Sequence, residues 1–89
     1  LGLTRTAALE YARRGVRVNA VCPGVTDTPR VERITGRDPQ AERALASRTP
    51  IGRLATPQQI AEAICYLCGP GSADLVGHAL VVDGGLVAA

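Results

Sequence analysis

Two short β-branched runs, Val16-Arg17-Val18-Asn19-Ala20-Val21 and Ala79-Leu80-Val81-Val82-Asp83, stand on either side of a helix, an order that few folds accommodate. Both runs have the composition of strands. The helix between them is marked at its start. Thr56 can cap it, Pro57 suits the first helical position and Gln59 stands where a capping-box partner belongs. Ile60, Ile64, Leu67 and Cys68 follow at helical spacing, which predicts one buried face, and Gly69-Pro70-Gly71 ends the segment. A strand, a helix and a second strand in sequence favour a parallel pair with a right-handed crossover. The expected class is α/β.

The flanking segments fit that order. Leu1 to Arg14 is helical in composition, with Leu3, Ala7 and Tyr11 on one face and with Arg13, Arg14 and Gly15 as a stop signal. Leu1-Gly2-Leu3 offers no capping side chain, so this helix is expected to continue upstream. Cys22-Pro23-Gly24 should stop the first strand. From Val25 to Pro50 the pattern weakens, yet Thr28-Pro29 and Asp38-Pro39 each look like an N-cap followed by proline. Two short helices, about Pro29–Thr35 and Pro39–Ser47, are expected around Gly36, forming a mobile lid.

Composition excludes several classes. The chain of 89 residues is 46% hydrophobic, far from a disordered tail, but has no Phe, Trp or Met to fill a small core. It reads as part of a larger sheet. Ten Arg against eight acidic residues give a net charge of +2, without the basic stripe and stacking aromatics of a nucleic-acid module. No apolar run approaches the ~20 residues of a membrane span. Three unframed cysteines point to a reducing, cytoplasmic setting.

Several pieces together resemble the short-chain dehydrogenase/reductase family: Gly2-Leu3-Thr4-Arg5, Leu9-Glu10-Tyr11-Ala12, the stretch from Gly15 through Val16-Arg17-Val18-Asn19-Ala20-Val21-Cys22 to Pro23-Gly24, Pro50-Ile51-Gly52-Arg53 before the Thr56-Pro57 helix start, and Gly77-His78-Ala79-Leu80-Val81-Val82-Asp83-Gly84-Gly85. They cover essentially the whole chain in order. The resemblance implies the C-terminal part of a Rossmann-like, doubly wound parallel sheet, contributing two strands plus helices. Residues 1–89 would then be one segment of a single domain whose dinucleotide-binding part lies outside them. It also implies hydride transfer between NAD or NADP and a small alcohol or ketone, in a homo-oligomer that needs neither nucleic acid nor membrane.

In that family a Tyr acts as general acid/base, a Lys lowers its pKa and holds the ribose, and a Ser polarises the substrate oxygen. This chain has no Lys, so no Tyr-x-x-x-Lys motif is possible, and it has no Gly-x-x-x-Gly-x-Gly turn. No catalytic residue is therefore assigned, and the chain alone is expected to be inactive. The alternative is a catalytically dead chain serving as a structural or self-association module. What the resemblance leaves here is the nicotinamide end of the cofactor site, carried by Pro23, Gly24, Val25, Thr26 and Thr28. The stretch leaves its strand at the carboxyl edge, where open α/β sheets bind ligands. The backbone at Thr26 or Val25 would meet the carboxamide, and the Thr28 hydroxyl the carboxamide or a phosphate. Otherwise Thr28 simply caps the next helix.

Other residues invite plainer readings. Cys65-Tyr66-Leu67-Cys68 has a redox or half-zinc spacing, but it closes its helix, where the dipole opposes a thiolate. Buried helix-face cysteines are expected, and no metal site. Arg30, Arg33, Arg37, Arg43, Arg48 and Arg53 could steer an acidic substrate, yet the interleaved Glu32, Asp38 and Glu42 favour a solvated mixed-charge surface. His78 reads as a loop residue, and Asp83 as an acceptor of backbone hydrogen bonds in the final turn.

Overall fold

Proline and the side-chain caps decide where the helices begin. In a computed structural model, which describes residues 1–88, α1 spans Gly2–Tyr11, and a single 3-10 turn over Ala12–Arg14 leads to Gly15 at φ 78°. Helix α2 (Pro29–Thr35) and α3 (Pro39–Ala46) both open on proline. Asp38 caps α3 by accepting the Gln40 N–H at 3.1 Å. Helix α4 covers Pro57–Cys68. Its capping box is complete: Thr56 Oγ1 accepts the Gln59 N–H at 3.2 Å, and Gln59 Oε1 accepts the Thr56 N–H at 3.0 Å.

The two strands are β1 (Ala20–Pro23) and β2 (Ala79–Val82), paired in parallel with Ala20 opposite Ala79 and Pro23 opposite Val82. The first strand lies further along than its β-branched run predicts. Val16–Asn19 is a lead-in, and pairing continues through Cys22 and Pro23 rather than stopping there. The reason is the partner. Backbone bonds between the two segments begin only where Gly77 N–H reaches the Val18 carbonyl and Ala20 N–H reaches that of His78, each at 2.9 Å. Proline is tolerated because donors toward β2 fall on Ala20 and Gly24, so the strand's alternation turns the Pro23 nitrogen to the other edge. Asp83 turns away from β2 instead of extending it.

The lead-in is held by its polar side chains. Arg17 donates to the Ser72 carbonyl (2.9 Å), to Ser72 Oγ (3.1 Å) and to the Gly69 carbonyl (3.3 Å), closing the C-terminal end of α4 with a cation. Asn19 donates to the Leu75 carbonyl at 3.0 Å and accepts the His78 N–H at 2.9 Å. His78 is the exposed loop residue expected of it.

The core is thin: among the described residues Ala8, Val31 and Leu67 are the buried apolar ones. Two four-residue strands are too narrow to cover the face of α4. Of the face expected to be buried, Leu67 is, Ile60 is half-covered, and Ile64 and Cys68 are exposed. Cys65 is exposed too, which corrects the expectation of buried helix cysteines. On α1 the residue that docks is Ala8, against the loop at Gly77, while Leu3 is 84% exposed. Strand β2 is half-buried rather than buried, with Val81 open. Among the described residues no helix is long and apolar enough to cross a membrane.

Candidate functional site

Both strands end at one edge, and the chain is tightly constrained there. Gly24 N–H donates to the Val82 carbonyl at 3.0 Å, so β1 and β2 stay joined to their last residues. A Cβ on Gly24 would stand 2.7 Å from the Cα of Asp83, which leaves room for no side chain. Asp83 then accepts the Gly85 N–H at 2.9 Å and the Val87 N–H at 3.0 Å, the role its sequence context predicts. Gly84 sits at φ 65°, and its carbonyl accepts the Ile51 N–H at 3.1 Å, tying the loop before α4 to the sheet edge.

From this edge the segment Val25–Thr28 runs out beside Ala55. Ala55 N–H reaches the Val25 carbonyl at 3.0 Å, and Asp27 N–H reaches the Ala55 carbonyl at 2.8 Å. Neither the Val25 nor the Thr26 N–H is taken up by a partner among the described residues. The Thr26 hydroxyl donates to the Gly24 carbonyl at 3.3 Å. Thr28 occupies the N-cap position of α2, but its side chain makes no capping bond; only its carbonyl serves the helix, accepting the Glu32 N–H at 3.1 Å. The purely capping role that the sequence allows for Thr28 is therefore not what its hydroxyl does. Gly24, Val25, Thr26 and Thr28 line one cleft of about 320 Å³, together with Arg30, Val31 and Ile34 of α2 and Leu45 of α3. Pro23, the last residue of β1, is not in that lining.

Residues 1–87 match the model of a family described as enoyl-(acyl carrier protein) reductase. Cis-4-hydroxycyclohexanecarboxylate dehydrogenase of Sinomonas cyclohexanicum is 49% identical over 97% of this chain and 33% of its own length. The short-chain dehydrogenase RED2 of Pyricularia oryzae is 42% identical over 96% of this chain and 31% of its own. The chain belongs to the short-chain dehydrogenase/reductase family. It spans about a third of the length of these curated relatives. Among solved structures, 4-hydroxyisoleucine dehydrogenase complexed with NADH superposes with a TM-score of 0.88 at 30% identity, over 99% of this chain and 36% of that one. The α/β arrangement is thus that of one part of a Rossmann-fold short-chain dehydrogenase/reductase.

At this edge some residues close the strand end and others leave polar groups unused. Pro23 and Gly24 hold the strand end against Asp83. Val25, Thr26 and Thr28 offer free amides and a free hydroxyl. A carboxamide has one acceptor oxygen and an NH₂ donor, so an unpaired backbone N–H and a hydroxyl able to donate or accept form a fitting partner set. The Arg17 and Asn19 bonds were not anticipated from sequence. Their signal was a guanidinium and an amide inside an apolar strand run, groups that require partners when partly buried. The cysteines are free, and among the described residues no group of three or more His, Cys, Asp or Glu clusters as metal ligands would.

Proposed function

We propose that this chain forms the nicotinamide end of an NAD(P)-dependent dehydrogenase/reductase that interconverts a small alcohol and a carbonyl compound. The observation that carries the reading is the cleft at the carboxyl edge, where the Val25 and Thr26 amides and the Thr28 hydroxyl are all unused by the fold. Val25, Thr26 and Thr28 would hold the carboxamide, and Gly24 keeps the edge close enough to Asp83 for them to stand there. A bound nicotinamide supplies the hydride acceptor or donor for the reaction. Orienting that ring is this chain's own contribution, and a fixed ring face converts binding into rate through positioning.

Proton transfer needs groups these residues do not include, because there is no Lys to partner a Tyr. The chain by itself is accordingly proposed to be inactive, with the catalytic Tyr, Lys and Ser and the phosphate-binding turn supplied by other residues of a single Rossmann domain. The protein is further proposed to be a cytoplasmic homo-oligomer acting on a small molecule rather than on nucleic acid or membrane. That the Sinomonas relative is named for a hydroxy compound supports the alcohol side of the reaction.

A second reading rests on a different observation. Leu3 and Leu9 of α1 are 84% and 80% exposed, an apolar surface that either the remainder of a Rossmann domain or an associating chain would cover. The genomic sequence upstream of Leu1 separates the two. An in-frame Tyr-x-x-x-Lys motif a few residues before Leu1, on the same helix as Gly2-Leu3-Thr4, is the result expected for an oxidoreductase. A stop codon with no such motif would leave the association module.

A further inference from the structure

The cleft at the sheet edge contains a single charged residue. Thr26 and Thr28 lie on its polar side, Val31, Ile34 and Leu45 give it an apolar wall, and Arg30 stands beside them with no acidic residue in the lining. Of the acids nearby in sequence, Asp27 and Glu42 lie outside the cleft lining and two others are engaged elsewhere. Glu32 pairs with Arg37 at 3.1 Å, and Asp38 caps α3. Among the described residues the Arg30 guanidinium has neither an ion pair nor a hydrogen bond, whereas that of Arg17 is held by Ser72 and Gly69. A planar fork of donors beside an apolar surface matches a carboxylate in shape and charge.

We propose that Arg30 sets substrate class: the alcohol or ketone turned over here carries a carboxylate, which Arg30 binds while its carbon frame lies against Val31, Ile34 and Leu45. The proposal rests on the functional reading above for the reacting group, and adds the anion. A phosphate of the cofactor is the other anion that could meet this guanidinium. The two differ in what an arginine substitution changes.

The test uses the full-length protein that carries this segment. A panel of keto acids is compared with their primary amides, matched carbon for carbon, while NADH or NADPH binding is followed separately by fluorescence. Arg30→Gln should lower kcat/KM for the acids by roughly ten- to a hundredfold, mainly through KM, and leave the amides and the cofactor Kd unchanged. Arg30→Lys should restore part of the loss. An equal effect on acids and amides, or a weakened cofactor Kd with unchanged preference, would overturn the proposal. Calorimetric titration with hexanoate and hexanamide, without cofactor, separates it from the parent reading. Arg30-dependent preference for hexanoate in a protein that turns nothing over would sink the oxidoreductase reading and keep the anion site. Turnover without acid preference would do the reverse.

Discussion

Arg17 and Ser72, far apart in the chain, meet at the end of α4, where the guanidinium donates to both the carbonyl (2.9 Å) and the hydroxyl (3.1 Å) of the serine. Ser72 is almost fully buried, and its hydroxyl lies within 2.8–3.1 Å of the carbonyls of Tyr66, Leu67 and Gly69. The pair thus joins the lead-in of β1 to the exit of α4. Arg17→Met should cost about 1.5–3 kcal/mol, the scale of hydrogen bonds from a charged donor. Denaturant unfolding of the full-length protein measures it. A midpoint within error of the parent would mean that water replaces the guanidinium without loss.

Gly24→Ala should be costly for a different reason. The added methyl meets backbone, 2.7 Å from the Cα of Asp83, and backbone cannot rotate out of the way as a side chain can. Overpacking of this kind costs about 1–3 kcal/mol. Nicotinamide affinity should fall as well, because Val25 and Thr26 leave the strand from this point. A folded, fully stable alanine variant with parental cofactor affinity would contradict the close approach.

Two threonines that look alike in sequence should behave oppositely. Thr56→Ala removes a complete capping box and should cost about 1 kcal/mol of stability with cofactor affinity unchanged. Thr28→Val removes a hydroxyl that caps nothing; it should leave stability alone and weaken cofactor binding by about 1 kcal/mol. Thermal unfolding and a cofactor titration on both variants check the crossing pattern. Stability loss at Thr28 without loss of affinity would return it to a capping role.

The 89-residue chain alone should be associated or poorly protected in solution, and without dehydrogenase activity. Two paired strands expose two unsatisfied edges, and Leu3, Leu9 and Ile64 lie open on the helices. Sedimentation combined with amide exchange decides the first point. A monomer with strongly protected amides throughout β1 and β2 would contradict it. Nicotinamide absorbance with a panel of alcohols and ketones decides the second.

Local signals were legible where chemistry acts within a few residues. Pro29, Pro39 and Pro57 each begin a helix, Gly15 and Gly36 follow helix ends in the left-handed region, and Asp83 serves the final turn. What depends on a distant partner was not. The span of β1 is decided by where β2 starts at Ala79, so a β-branched run beginning at Val16 misled by four residues. Burial was overestimated at Ile64, Cys65 and Cys68 because periodicity marks an apolar face without showing what covers it. Of the site, the turn Gly24–Thr28 was readable by resemblance to the family. The unused hydroxyl of Thr28 and the separation of Pro23 from the cleft depend on tertiary geometry that no local spacing encodes.

Under the proposed function the edge beyond β1 holds the nicotinamide through the Val25 or the Thr26 amide. Residue-resolved hydrogen exchange of the full-length protein, with and without saturating NAD or NADP, tests it most directly. Both amides lack a partner among the described residues, so they should exchange quickly in the free protein, and at least one should become protected when the cofactor binds, with Asp27, already bonded to Ala55, changing little. Full cofactor occupancy with no added protection at either Val25 or Thr26 would mean that the nicotinamide is held elsewhere.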